Sequence, residues 1–291
     1  MSTIKRFIPF NFVKNNNPSK KYAFTLAEVL ITIGVIGVVA AMVMPGIVEN
    51  VQERILIVKL KQTYSILSNG LKRMTAENGT IDTWGATAEA REAKLRELMP
   101  KYFNVLTYCK KGELGCFGKE YTTHLVDELV GNAGHGLIPV NTYNYSDSVL
   151  LANGIAVMYG LTSPNSGNET TYTCSKTVGE YNSDVLNSKE SWLETCMIIG
   201  VDINGPARPN AASEDWFGFY VVKDGVVPTG TQGSRNWSWV LSFDNACLSK
   251  SAFSIPFQTN CTAWVLANGN MDYKRCPEKL GWGSDKAKSC K

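Results

Sequence analysis

Residues 20–31 read Lys20-Lys21-Tyr22-Ala23-Phe24-Thr25-Leu26-Ala27-Glu28-Val29-Leu30-Ile31, and the chain stays apolar from there to Val48. Phe24–Val48 holds 25 residues and one charge, Glu28. A bilayer is crossed by about 20 apolar residues in a helix, so this run is long enough to span one. A carboxylate inside such a run is expensive and therefore has a function. A secretory signal peptide has a shorter apolar region followed by a small-residue cleavage site, and this run is too long for that.

The residues before the run carry Lys5, Arg6, Lys14, Lys20 and Lys21 and no acidic residue. Cationic flanks stay in the cytoplasm, which puts the Phe24 end inside and everything after Val48 outside. The whole chain has a formal net charge of +3, but removing those five leaves 24 basic against 26 acidic residues, a net charge of −2. No charge signal for nucleic acid remains.

Beyond the run, Ile57, Leu60, Tyr64, Leu67, Leu71 and Met74 recur at helical spacing, with Lys59, Lys61, Lys72 and Arg73 off that stripe. The pattern predicts one helix from Phe24 to about Glu77, stopped at Asn78-Gly79, whose second half packs its stripe on a domain. Pro45-Gly46 lies within it, where Pro removes a backbone donor and a kink is expected. A second helix is expected over Ala86–Met99, ended by Pro100. Strand signals follow. Val149–Tyr159 reads as a hairpin turning at Asn153-Gly154. Met197–Val201 and Trp216–Val222 read as strands, the latter followed by a Lys223-Asp224-Gly225 turn, and Thr262–Leu266 as a further strand. Helix first and antiparallel strands afterwards imply an α+β fold, a sheet laid on the second half of the long helix.

The order of basic leader, small residue, Phe, and carboxylate four residues later resembles the prepilin signature of type IV pilins and type II secretion pseudopilins. The resemblance implies cleavage between Ala23 and Phe24 by a prepilin peptidase and N-methylation of Phe24. The family has Gly before the cut; Ala23 is also small. It implies that Glu28 pairs with the terminal amine of a neighbouring subunit and sets register during assembly. A Glu near a helix start is also favoured by the helix dipole. Gly37 and Ala41 are spaced for close helix approach, and the segment from Gly37 to Pro45 corresponds to the part that loosens as subunits enter a filament.

The chain thus divides into a leader, 1–23, a membrane and assembly helix, 24–48, its amphipathic continuation, 49–78, and an extracytoplasmic α+β domain, 79–291. The implied partners are further copies or homologous pilin subunits, the prepilin peptidase, an inner-membrane assembly platform and membrane lipid. The expected location is the inner membrane, single-pass with a cytoplasmic N-terminus, and then a periplasmic or extracellular filament. A single-pass anchored extracytoplasmic binding protein that forms no filament is the alternative.

The eight cysteines, Cys109, Cys116, Cys174, Cys196, Cys247, Cys261, Cys276 and Cys290, all follow the apolar run, on the side where thiols oxidise. An even count without Cys-x-x-Cys argues for disulfides over zinc. Sequential pairing is the expectation, because short loops would staple segments lacking a strong helix or strand signal. Asp202, Asn204 and Asp215 supply loop oxygens of the kind Ca²⁺ takes, although Asp, Asn, Gly and Pro here also simply make turns. His124 and His135 stand alone in Gly- and Thr-rich surroundings, and no Gly-x-Ser-x-Gly, phosphate-loop or His-Glu-x-x-His motif occurs. The expectation is a structural subunit, not an enzyme.

Overall fold

A computed structural model of the chain describes residues 25–110, 113, 115–118, 120–123, 138–139, 147–159, 174, 177–178, 195–231, 235–236, 239–240, 243–248 and 260–291. Its first element is the helix α1, Leu26–Asn78, 53 residues long. Gly79 follows at φ +80°, the left-handed conformation that lets a helix stop. The chain divides into two compact units after Glu49. In the first, the α1 residues are almost all exposed, Leu26 and Met42 each at 78%.

The second unit, Asn50–Lys291, is an α+β domain. Five of the six stripe residues of α1, Ile57, Leu60, Leu67, Leu71 and Met74, are buried, and Tyr64 is partly so. A short 3₁₀ turn, Ile81–Trp84, leads to α2, Ala88–Tyr102. The Thr87 hydroxyl caps α2 by accepting from Ala90 N–H at 3.2 Å. This helix does not end at Pro100, as the sequence predicted, but carries it in its last turn. Pro forfeits only its own hydrogen bond, and the Phe103 N–H still closes the helix on Met99 O at 2.9 Å.

Among the described residues the sheet has nine strands: β1 Val105–Cys109, β2 Glu120–Thr123, β3 Ile138–Pro139, β4 Ser148–Leu151, β5 Ala156–Tyr159, β6 Met197–Asp202, β7 Ala211–Ala212, β8 Trp216–Val222 and β9 Gly225–Pro228. Their order is β1-β4-β5-β6-β8-β7-β2-β3, with β9 also on β8. Pairing is antiparallel except for β2 with β7 and β7 with β8. The expected hairpin is β4–β5, with Val149 opposite Val157 and Gly154 at φ +83°. β8 shows why its run of aromatics is apolar throughout. Phe217, Phe219 and Val221 face the α1 core, while Trp216 and, further along the opposite face, Tyr220 and Val222 belong to two smaller clusters. Both faces are covered, and all seven residues are buried. Tyr64 of α1 stacks on Phe219 at 5.9 Å. A separate ribbon pairs β10, Arg235–Asn236, with β11, Trp239–Val240.

Thr262–Leu266 is not a strand. It lies in a short helix, α3, Thr262–Asn268. Thr262, Ala263, Trp264 and Val265 are all buried, so the stretch is apolar all round and shows neither period. Asn268-Gly269, which reads as a turn after a strand, is the helix stop: Gly269 is left-handed and its N–H returns to Val265 O at 2.9 Å. Trp264 stacks on Phe243 at 3.9 Å.

Four disulfides join Cys109–Cys116, Cys174–Cys196, Cys247–Cys261 and Cys276–Cys290, leaving no free cysteine. The last lies beside a clamp to α1. Arg275 donates to the Glu53 carboxylate from Nη1 at 2.6 Å and Nη2 at 3.1 Å, and the Met271 N–H joins at 3.1 Å. Leu67→Ala, which truncates the stripe where it is 1% exposed, should cost about 3 kcal/mol. Chemical denaturation of the full chain in mild detergent measures it. A cost below about 1 kcal/mol would mean that the stripe does not hold the domain.

Candidate assembly helix

The start of α1 is set by Thr25 and Glu28. The Thr25 hydroxyl accepts from Glu28 N–H at 3.2 Å, and Glu28 Oε2 accepts from Thr25 N–H at 2.8 Å and from the Thr25 hydroxyl at 2.9 Å. This is a reciprocal capping box, Thr-x-x-Glu, in which each side chain satisfies a backbone donor that a helix start leaves open. The carboxylate thus has partners within its own chain. The sequence reading of Glu28, as a charge paired with a cation or favoured by the helix dipole, missed the cap, although Thr25-Leu26-Ala27-Glu28 spells the motif.

Ala23 and Phe24, where cleavage and methylation are expected, lie outside the described residues, as do His124 and His135. Past Glu28 the helix is long and apolar enough to cross a membrane, and its most apolar window has nothing buried. Val35, Ile36, Val39, Val43, Met44 and Ile47 line a shallow apolar groove along one side. A side chain added at Gly34 or Gly37 would meet nothing within 4 Å. These glycines therefore do not serve packing inside the subunit. Pro45 lies within α1.

The loop residues considered for Ca²⁺ sit between β6 and β8. Asp215 accepts from Asn210 N–H at 2.6 Å and Ala211 N–H at 2.7 Å, and Asp202 Oδ1 accepts from Asn204 N–H at 3.0 Å. The Asn204 amide donates to Ala207 O at 2.8 Å and Arg208 O at 3.0 Å. Burial pushes the Asp215 carboxyl up to about 6, opposed by the Ala211 and Asn210 amides. These contacts close the loop on its own backbone. Among the described residues no three His, Cys, Asp or Glu side chains gather as a metal site.

Residues 18–44 match the prokaryotic N-terminal methylation motif. The chain carries the type IV pilin and pseudopilin signature. The motif covers Lys20 and Lys21 at the end of the basic flank, the capping box and most of the exposed apolar half of α1, and none of the sheet domain. No curated protein and no solved structure matches the chain. An apolar helix with this motif is consistent with membrane anchoring and an extracytoplasmic domain.

Within the motif, Thr25→Val keeps the shape of residue 25 and removes the cap. Hydrogen exchange at the amides of residues 25–28, measured on the full chain in detergent micelles, should then be about fivefold faster. Unchanged exchange would mean that the box does not hold the helix start.

Proposed function

We propose that the chain is a structural subunit of a type IV pilus-like or pseudopilus filament and works by assembly, not catalysis. The observation that carries this is the methylation motif placed on an exposed apolar helix whose only charge in that run is Glu28. A prepilin peptidase cuts between Ala23 and Phe24 and methylates the new amine. The apolar half of α1 then holds the subunit in the inner membrane, and an assembly platform transfers it into a filament. Lipid contacts along Val35, Val39 and Val43 are exchanged for contacts with neighbouring helices.

Glu28 acts differently at the two ends of this path. In the free subunit Thr25 satisfies the carboxylate, which eases its cost in an apolar surrounding. In the filament the amine of a neighbouring Phe24 supplies the opposite charge. A subunit out of register leaves that charge unpaired among apolar side chains, so register is enforced by cost. Gly34 and Gly37, open in the subunit, let neighbouring backbones approach.

Intact-mass spectrometry of the chain extracted from host membranes tests the processing. The expected species starts at Phe24 and carries one added methyl group. A full-length species would overturn the reading and leave a single-pass anchored protein. Glu28→Gln should leave cleavage intact and abolish incorporation into sheared filaments; normal incorporation would refute the register role.

A further inference from the structure

α2 meets the end of the sheet through charge. Leu95, Leu98 and Met99 put its apolar side into the core, while Glu92 and Arg96, one turn apart, meet the start of β4. Arg96 lies 3.6 Å from Glu92 Oε1 and forms an ion pair with Asp147, the residue before β4. The Tyr108 hydroxyl of β1 donates to the same Asp147 oxygen, and the Asp147 backbone N–H donates to the Glu92 carboxylate. Tyr159 of β5 is fully buried beside them, and its hydroxyl finds no hydrogen-bond partner among the described residues. Glu89, the preceding acid on α2, also acts on Glu92.

One guanidinium therefore serves two carboxylates. The Glu92 and Asp147 side chains are 13% and 9% exposed, but Arg96 is 45% exposed, so solvent weakens its hold. With both acids ionised, the cluster keeps a surplus negative charge in a poorly hydrated place, with neutral Tyr108 and Tyr159 as its other neighbours. Burial pushes Glu92 up to about 7, with Arg96 opposing and Asp147 and Glu89 adding to the rise.

We propose that Glu92, Arg96, Asp147, Tyr108 and Tyr159 form a proton-operated latch, which fastens α2 to the β1–β4–β5 end of the sheet when Glu92 is neutral and loosens it when Glu92 ionises. The direction follows from linkage. A carboxyl that titrates near its ordinary 4.5 in the open state and near 7 in the closed state favours closure fully below 4.5. That advantage is lost as pH rises through 7. The latch is independent of whether the chain assembles, and it gives a protein outside the cytoplasm a response to the pH around it.

Hydrogen exchange of the full chain in detergent micelles at pH 5.5 and 7.5, corrected for intrinsic rates, tests it. α2 peptides should lose about tenfold in protection at the higher pH, a value reduced for solvent screening, while β6 and β8 peptides keep theirs. Glu92→Gln, neutral at both values, should keep the slow exchange at both. Equal wild-type protection at the two values, or a pH response that survives in Glu92→Gln, overturns the latch. If Glu92→Gln does not fold, the wild-type pH profile decides, since the latch requires protection to go on falling from about 4.5 until it levels off near 7. Protection that has already levelled off by about pH 5 rejects it.

Discussion

Ile57, Leu60, Leu67, Leu71 and Met74 stand along one side of α1, and Phe217, Phe219 and Val221 along one side of β8. Neither row is stable in water without the other. Each large side chain removed from water contributes about 2 kcal/mol, and the two rows meet in one core with Tyr64 stacked on Phe219. The strands flanking β8 inherit their place from this contact. β6 lies beside it over six residue pairs, and β5 and β4 follow in order. α2 then covers the same core with Leu95, Leu98 and Met99.

One helix thereby meets two different demands. From Ile57 on, buried apolar residues recur every three or four positions and most of the others are polar, because a single face is buried. Between Leu26 and Val48 nearly every residue is apolar, and the large apolar side chains are exposed. The change of pattern marks where the surroundings change from protein to something else. The capping box belongs to the same logic. A helix starting in apolar surroundings has no water for its first N–H groups, and Thr25 and Glu28 supply partners from the chain itself.

Much of this was legible in the residues. The 3.6 period from Ile57 to Met74 and Gly79 gave α1 and its end. The Asn153-Gly154 pair gave the β4–β5 hairpin, and the aromatic run gave β8. What was not legible has physical causes. The first turn of α3 is buried on all sides, so its composition carries no period, and it resembles a short buried strand. Pro100 reads as a stop, yet the last turn of a helix tolerates it when the next residues still find acceptors. β7 is two residues long and owes its conformation to the strands beside it, not to its own side chains. The latch joins α2 to Asp147 and Tyr159 across more than fifty residues, a distance that no local pattern can express.

The clamp between Glu53 and Arg275 closes the domain across 222 residues. One partner lies at the start of the domain and the other near the end of the chain, beside the Cys276–Cys290 bond. During synthesis the helix side is made first, and its carboxylate gains this partner only after the intervening residues have followed. A protein truncated before Arg275 would keep the helix, the sheet and the stripe, yet Glu53 would lose its two guanidinium hydrogen bonds. The fold thus ties one of its first polar contacts to residues more than two hundred positions later, so the helix is fastened at that point only when both ends of the domain are present.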